Sequence, residues 1–407
     1  MTAAPGLGAL GLLREIEGVG RDRRRGGYSR HVFDDAERTL RDWFVERAER
    51  LGLGVVTDRN GNIWAWWGEP GPDAIVTGSH LDSVPGGGAH DGPLGVVSAL
   101  DALARLKESG FVPARPLAIV VFAEEEGSRF GIACLGSRLL SGAIDPARAG
   151  ALVDSEGRSF AEVASDAGFG AFGRDDEALD RIGVFVELHV EQGRGLIDLD
   201  APVAVGSSIL EHGRWRIDVR GQGNHAGTTE IADRRDPMLP AATAVAAARA
   251  AAVRRTGSRA TIGRLEPLPG GTNVIASRVA AWLDVRGRSE ADTRAVVADV
   301  AAAVAEAAAA EGCEASVVEE SYSAEVRFDP VLRDRLAGTL GGLPVLPTGA
   351  GHDAGVLAAR VPTAMLFVRN PSGVSHAPEE GADDAAIEAG AAALARSLEE
   401  LSTGAGS

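Results

Sequence analysis

The spacing of apolar side chains changes character along the chain. Leu40, Trp43, Phe44 and Ala48 recur at helical intervals and predict a helix over 34–51, with Asp34 or Asp35 as its cap. Two short apolar runs, 55–56 and 63–67, flank Asp58-Arg59-Asn60-Gly61-Asn62 and predict a hairpin. Apolar runs at 74–78, 117–123 and 182–188 show no alternation and predict strands buried on both faces, with a helix over 93–106 between the first two. From about Ser207 the style changes. Stretches 214–220 and 278–286 alternate, as half-exposed strands do, and 315–321 predicts a third strand. Ala-rich helices are predicted over 237–254 and 290–311. After about Tyr322 the buried-strand style returns, ending in the apolar run 363–368. An α/β layer interrupted by a small α+β domain fits this order, with 1–206 and 322–407 forming the larger domain and 207–321 the insertion. No repeat of solenoid length is present.

Polar residues of one chemical kind follow the buried runs. Gly78-Ser79-His80-Leu81-Asp82 ends the first, and the loop His90-Asp91-Gly92 comes next. Glu124-Glu125-Glu126-Gly127 ends the second, Glu187 to Gly193 (ELHVEQG) the third, and Ser375-His376-Ala377-Pro378-Glu379-Glu380 follows the last. In open α/β sheets, sites form outside the carboxyl ends of strands. Each feature alone also fits a structural His, a solvated acidic turn or an ordinary glycine loop. Together they form a mixed His/carboxylate set without cysteine, which suits Zn, Mn, Co or a similar divalent ion. A pair of ions needs a bridging carboxylate. Asp91, in a glycine-rich loop that lets the backbone approach closely, is the natural bridge. Asp82, two residues from His80 on an extended segment, suits a carboxylate that orients the imidazole. In the glutamate run, adjacent side chains cannot share one direction, so one can bind metal while its neighbour faces the reacting water.

The chain has 407 residues, 45% hydrophobic and 24% charged, enough for two soluble domains; only the small-residue ends, 1–8 and 402–407, are expected to be loosely held. A formal net charge of -17 argues against nucleic-acid or anionic-membrane partners. An anionic substrate must then be met by a local Arg. Cys134 and Cys313 lie far apart and outside any CxxC pair, so both are expected reduced. No apolar run reaches the roughly 18 residues of a membrane span, and the N-terminus has no signal-peptide pattern, which together predict a cytoplasmic protein.

At these residues the sequence resembles the hydantoinase/carbamoylase family of metal-dependent amidohydrolases, which includes N-carbamoyl-L-amino acid hydrolases, allantoate amidohydrolases and β-ureidopropionases within the wider group of dimetal aminopeptidases and carboxypeptidases. The resemblance rests on GSHLDSVPGGGAHDGPLGV (78–96), AEEEGSRF (123–130), ELHVEQG (187–193), GNHAGTT (223–229), GTNVIAS (271–277), GAGHDA (349–354) and SHAPEE (375–380), in family order across nearly the whole chain. It implies an aminopeptidase-like α/β catalytic domain with a mixed sheet and an inserted α+β domain that acts as lid and dimer interface. It implies two divalent ions per subunit, Zn or Mn, with Co or Ni as further candidates. His80 and His189 would hold one, Glu126 and His376 the other, and Asp91 would bridge them. Glu125 would be the general base and acid. The Asp91–Gly92 peptide would be cis. His225 would polarise the scissile carbonyl, Asn273 and Arg286 would hold the substrate carboxylate, and Gln192 and Gly351 would contact the ureido end. His189 stands where the peptidase branch usually has an acidic residue. His90 departs from the family's usual apolar or aromatic residue; an accessory ligand, an extra contact and a neutral role all remain open.

The implied activity is hydrolysis of the carbamoyl C–N bond of an N-carbamoyl-L-amino acid or allantoate, in a homodimer acting on a small carboxylate. The alternatives are a dimetal peptidase acting on small peptides and a catalytically inactive metal-binding dimer. The ELHVEQG motif argues against the first, and the intact Glu125 and ligand set against the second.

Overall fold

The computed structural model describes residues 8–403; most of the small-residue ends lie outside the described residues, while Gly8, Ser402 and Thr403 are helical. Strands Gly54–Thr57 (β1) and Ile63–Trp67 (β2) pair antiparallel as the expected hairpin. Asp58 ties its turn, accepting from the backbone N–H of Asn60 and Asn62 at 2.8 and 3.0 Å and from the Trp64 indole at 3.0 Å. Ala74–His80 (β3), Leu117–Phe122 (β4), Ile182–Val190 (β5) and Val203–Ile209 (β6) follow. His212–Arg220 (β7), Asn224–His225 (β8), Arg259–Leu268 (β9), Val274–Ile275 (β10), Arg278–Arg286 (β11) and Glu314–Ser323 (β12) come next, then Val326–Arg327 (β13), Val345–Thr348 (β14) and Thr363–Val368 (β15).

The chain divides into two compact units, one made of the residues up to Ser208 and from Arg327 onward, the other of Ile209–Val326. The chain returns to the first unit at Arg327 and not at the expected 322, because β12 stays paired with β7 as far as Ser323.

In the larger unit the strands form a nine-stranded mixed sheet in the order β1-β2-β4-β3-β5-β15-β6-β13, with β14 beside β6. Contacts β4–β3, β3–β5 and β5–β15 are parallel; β1–β2, β2–β4 and β15–β6 are antiparallel. Every residue of β3, β4 and β15 is buried, which is why these strands read as continuous apolar runs. Val184, Val186, Leu188 and Val190 join a core with Leu40 and Phe44 of helix Asp35–Arg50, Leu100 and Leu103 of helix Pro93–Glu108, and Leu394 and Leu398 of helix Asp384–Thr403. The intervening Phe185, Glu187 and His189 therefore project from the other face of β5. Phe185 meets Phe122 of β4 edge to face, ring centres 5.9 Å apart, and Phe122 stands opposite His80 in the β3–β4 register. The sheet thus delivers His80 and His189 to one face. Gly78 permits the close passage of β3 past β4, since a Cβ there would lie 1.8 Å from the Val120 carbonyl oxygen.

The inserted unit has a four-stranded antiparallel sheet, β12-β7-β11-β9. Alternate residues Trp215, Ile217 and Val219 of β7 and Ala281, Leu283 and Val285 of β11 pack against Ala244, Ala248 and Ala251 of helix Met238–Val253 and Val296, Val300 and Val304 of helix Glu290–Ala310. β9 was not foreseen; its sequence RATIGRLEPL is mostly exposed and contains a proline.

Candidate metal centre and active site

His80 is the last residue of β3, and its Nδ1 donates to the Asp82 carbonyl at 3.0 Å. His189 lies one residue before the end of β5, and its Nδ1 donates to the Val190 carbonyl at 3.0 Å. Both rings thereby turn Nε2 inward, with ring centres 5.7 Å apart, and among the described residues neither buried Nε2 has a hydrogen-bond partner. Asp91 lies between them. Its Oδ1 is 3.3 Å from His189 Nε2 and 3.9 Å from His80 Nε2, while its Oδ2 is 3.5 Å from His376 Nε2. His376 Nε2 is also 3.5 Å from Glu126 Oε2. Two donor sets result, His80–Asp91–His189 and Asp91–Glu126–His376, each with ligand atoms within 4.8 Å of one another and with Asp91 common to both.

The three consecutive glutamates divide in direction. Glu124 Oε1 accepts from the backbone N–H of Arg129 and Phe130 at 3.0 and 2.7 Å and closes the turn. Glu125 Oε2 is 3.6 Å from His80 Nε2, and its Oε1 accepts from the Cys134 thiol at 3.4 Å. Glu126 Oε1 accepts from Val84 N–H at 3.1 Å, leaving Oε2 toward His376. Asp82 fixes the start of this loop: its carboxylate oxygens accept from Glu125 N–H at 3.2 Å and Glu126 N–H at 3.1 Å. The imidazole of His80 is held by the Asp82 carbonyl, and the carboxylate is 3.5 Å away.

The electrostatics of this cluster call for cations. Burial raises the Glu125 carboxyl well above its ordinary range, although His80 works against it. Burial and then the Asp91 charge do the same to Glu126. At Asp91 burial also pushes upward, but His189, whose Nε2 lies 3.3 Å from Oδ1, outweighs it and holds the carboxyl below its usual range. At His80 burial opposes protonation, yet the charges of Glu125 and Asp82 raise its pKa well above normal. Buried carboxylates packed this closely are costly unless paired or metal-bound. With two orphaned imidazole nitrogens aimed among them, the donor set fits a pair of divalent metal ions.

One expected feature differs. Among the described residues the cis peptide is Leu268–Pro269, and Asp91–Gly92 is trans. Gly92, at φ +85°, makes the turn into helix Pro93–Glu108 instead; it has no Cβ, and one built there would lie 2.4 Å from the His80 ring. Gln192 spends both Nε2 protons on protein, donating to Asp91 Oδ2 at 3.1 Å and to Ser375 Oγ at 2.9 Å. His90 joins neither donor set. Its buried Nδ1 has no hydrogen-bond partner among the described residues, and burial lowers its pKa.

Gly351 is exposed and precedes His352, a buried residue that the motif reading passed over. The His352 ring centre lies 4.5 Å from that of His189, and burial followed by the nearby His189 charge drives its pKa well below normal, so the ring is neutral. Glu187, His189 and His352 form a third close group. Beneath it, Glu187 accepts from Ser79 Oγ and from Ala354 N–H, both at 2.9 Å. The only sequence signal for His352 was its presence in GAGHDA.

The remaining candidates lie in the inserted unit. β8 pairs with β10 in the register His225↔Val274, and Ala226 N–H donates to the Asn273 carbonyl at 2.9 Å, so GNHAGTT and GTNVIAS form one local structure. His225 is exposed, and its Nδ1 accepts from Gly227 N–H at 3.1 Å, which leaves Nε2 to carry the ring proton outward. Arg286 ends β11, whereas Asn273 precedes its start. The eight steps from Arg278 to Arg286 span about 26 Å at the usual strand rise. Arg286 Nε is 3.2 Å from Asp284 Oδ1.

Comparison with known proteins agrees with this architecture. The pattern of Peptidase family M20/M25/M40 matches residues 76–400. An N-carbamoyl-L-amino acid amidohydrolase of Geobacillus stearothermophilus is 36% identical, over 96% of this chain and 97% of that protein. An allantoate amidohydrolase of Bacillus subtilis is 32% identical over 86% of this chain and 87% of its own length. The crystal structure of a hydantoinase/carbamoylase family amidase from Burkholderia vietnamiensis superposes with a TM-score of 0.86 at 30% identity, covering 97% of each chain. The chain belongs to peptidase family M20/M25/M40 and, within it, to the hydantoinase/carbamoylase amidases.

Proposed function

We propose that this enzyme hydrolyses the carbamoyl C–N bond of a small ureido carboxylate, an N-carbamoyl-L-amino acid or allantoate, at a pair of divalent ions, zinc or manganese. The observation that carries the reading is the division of Asp91 between two donor sets with Glu125 beside them. His80 and His189 would hold one ion and Glu126 and His376 the other, with Asp91 shared between them. Bound ions of this kind polarise a carbonyl and make water a competent nucleophile near neutral pH.

The chain's own residues do the rest. Glu125 has one oxygen engaged by Cys134, so Oε2 is free to take the proton of the attacking water. As the C–N bond breaks, the same oxygen returns that proton to the departing nitrogen. An N-carbamoyl-amino acid then yields the free amine and carbamic acid, which decomposes to ammonia and carbon dioxide. His225, with Nε2–H directed outward, donates to the developing oxyanion. Gly351 and neutral His352 face the ureido end, Gln192 acting there by holding Asp91 and Ser375. Arg286 grips the substrate carboxylate as a two-pronged donor, with Asn273 beside His225. Because Arg286 and the His225–Asn273 structure lie at opposite ends of β11, a homodimer assembled through the inserted unit supplies both to one substrate.

A cytoplasmic location is supported by the charge of -17 and two free cysteines. No helix among the described residues is long and apolar enough to cross a membrane. The decisive assay is ammonia release from N-carbamoyl-L-amino acids, allantoate and N-carbamoyl-β-alanine, run beside cleavage of dipeptides. Rapid turnover of one ureido substrate with inert dipeptides is expected; the opposite pattern would replace this reading with a peptidase.

A further inference from the structure

The four protein ligands grouped around Asp91 are not held alike. The rings of His80 and His189 lie on buried strands, and each is oriented by a carbonyl on its Nδ1. The side chain of His376 is 53% exposed, sits in a loop at φ +57°, and has no ring hydrogen bond to a carbonyl among the described residues. Its position rests on its backbone, so whatever fixes residues 375–380 fixes the ligand.

One side chain does so. Glu380 Oε2 accepts from Ser375 Oγ at 2.9 Å and from His376 N–H at 3.3 Å. Ser375 Oγ accepts from Gln192 Nε2 at 2.9 Å, and Gln192 donates to Asp91 Oδ2 at 3.1 Å. A continuous chain of hydrogen bonds thus runs from Glu380 to the Asp91 oxygen that faces His376. Glu380 is only 4% exposed, and its Oε1 has no partner among the described residues. Leaving a buried carboxylate oxygen unpaired is costly. The space it fills is specific: a Cβ on Gly88 would lie 2.5 Å from both Glu380 Cβ and Oε1.

We propose that Glu380 is a positioning residue that clamps loop 375–380 against the Asp91 loop and sets how tightly the ion on the Glu126–His376 side is retained. The proposal rests on the ligand assignment given above. Removing a partner that orients a metal ligand typically costs about 10–100-fold in metal affinity. The clamp acts on His376 and not on His80 or His189, so the loss falls on one ion of the pair.

The test is metal content and affinity by elemental analysis, after zinc loading and dialysis against a weak chelator. Glu380→Ala is expected to retain one ion per chain and to bind the other about 10–100-fold more weakly. Glu380→Gln keeps an acceptor for Ser375 and His376 and is expected to retain two. Ser375→Ala breaks one link and guards against misfolding of the first variant; weakening of one ion by up to about tenfold is expected. His376→Ala is the reference and should hold one ion. If it holds two, the ligand assignment fails and the clamp with it. If His376→Ala behaves as expected while Glu380→Ala and Ser375→Ala bind both ions as the parent does, or Glu380→Ala weakens both equally, the clamp alone is overturned.

Discussion

The larger unit and the inserted unit carry chemistry-bearing side chains in opposite ways. In the larger unit His80, Asp91, Glu125 and His189 are buried, and each side chain is held by a hydrogen bond to the protein, that of Asp91 coming from the distant Gln192. In the inserted unit His225 and Asn273 are exposed on a two-residue pairing, and Arg286 is part-buried at a strand end. The first arrangement fixes charges before substrate arrives, as electrostatic preorganisation requires. The second keeps the proposed recognition groups accessible to a ligand that must enter and leave. Substitutions in the two units should therefore fail differently: metal content responds to the larger unit alone, and loss of carboxylate recognition at Arg286 shows in KM.

The largest expected effect is that of Asp91→Ala, which removes the carboxylate shared by both donor sets. Loss of both ions and of all activity is expected, read by elemental analysis after desalting; two equivalents retained would sink the bridge. Next is Glu125→Gln, which keeps shape and removes the base. A kcat fall of about 10²–10⁴-fold is expected with two ions still bound and KM little changed. More than about a tenth of parental kcat would point to another base. In the inserted unit, Arg286→Lys keeps the charge but not the fork. Since a charge-assisted hydrogen bond contributes roughly 1.5–3 kcal/mol, KM should rise by more than about tenfold. Metal content should not change, and a carboxamide analogue of the substrate should be unaffected; equal losses on both substrates would mean that Arg286 does not read the carboxylate. The smallest effect expected is that of Ser289→Ala. Ser289 Oγ caps helix Glu290–Ala310 by accepting from Asp292 N–H at 3.2 Å, so its loss should cost about 1 kcal/mol in thermal unfolding with no change in bound metal. A change in metal content would show that the two units do not divide as described.

Much of the larger unit's sheet was legible because burial on both faces leaves uninterrupted apolar runs. The runs read at 117–123, 182–188 and 363–368 became β4, β5 and β15. Helix Asp384–Thr403 left no comparable trace, although it covers one face of that sheet; its alanine and glycine content blurs the apolar stripe. β9 escaped because an exposed strand has no hydrophobic period to read. In the site, histidines and carboxylates after strands were visible as residue types. His352 was not singled out, because only its packing against His189, 163 positions earlier in the chain, marks it. Glu380 was equally silent: an acidic residue in an acidic turn reads as solvated until its burial is seen.

By itself the sequence determined where β3, β4 and β5 lie, which residues alternate to opposite faces of β5, and which donor types follow the strand ends. These are local properties, set by a period of two residues in a strand and by the chemistry of each side chain. Only the tertiary structure decided how Asp91 shares its two oxygens, which of three adjacent glutamates meets His80 and which meets His376, and that Gln192 serves Asp91 and Ser375. It also set Asp91–Gly92 trans and seated His225 beside Asn273. Those outcomes depend on which atoms approach within about 3–4 Å across loops distant in sequence, and a hydrogen bond weakens steeply with distance and angle. No local pattern encodes that geometry; packing of the whole sheet, with its loops clamped above it, does.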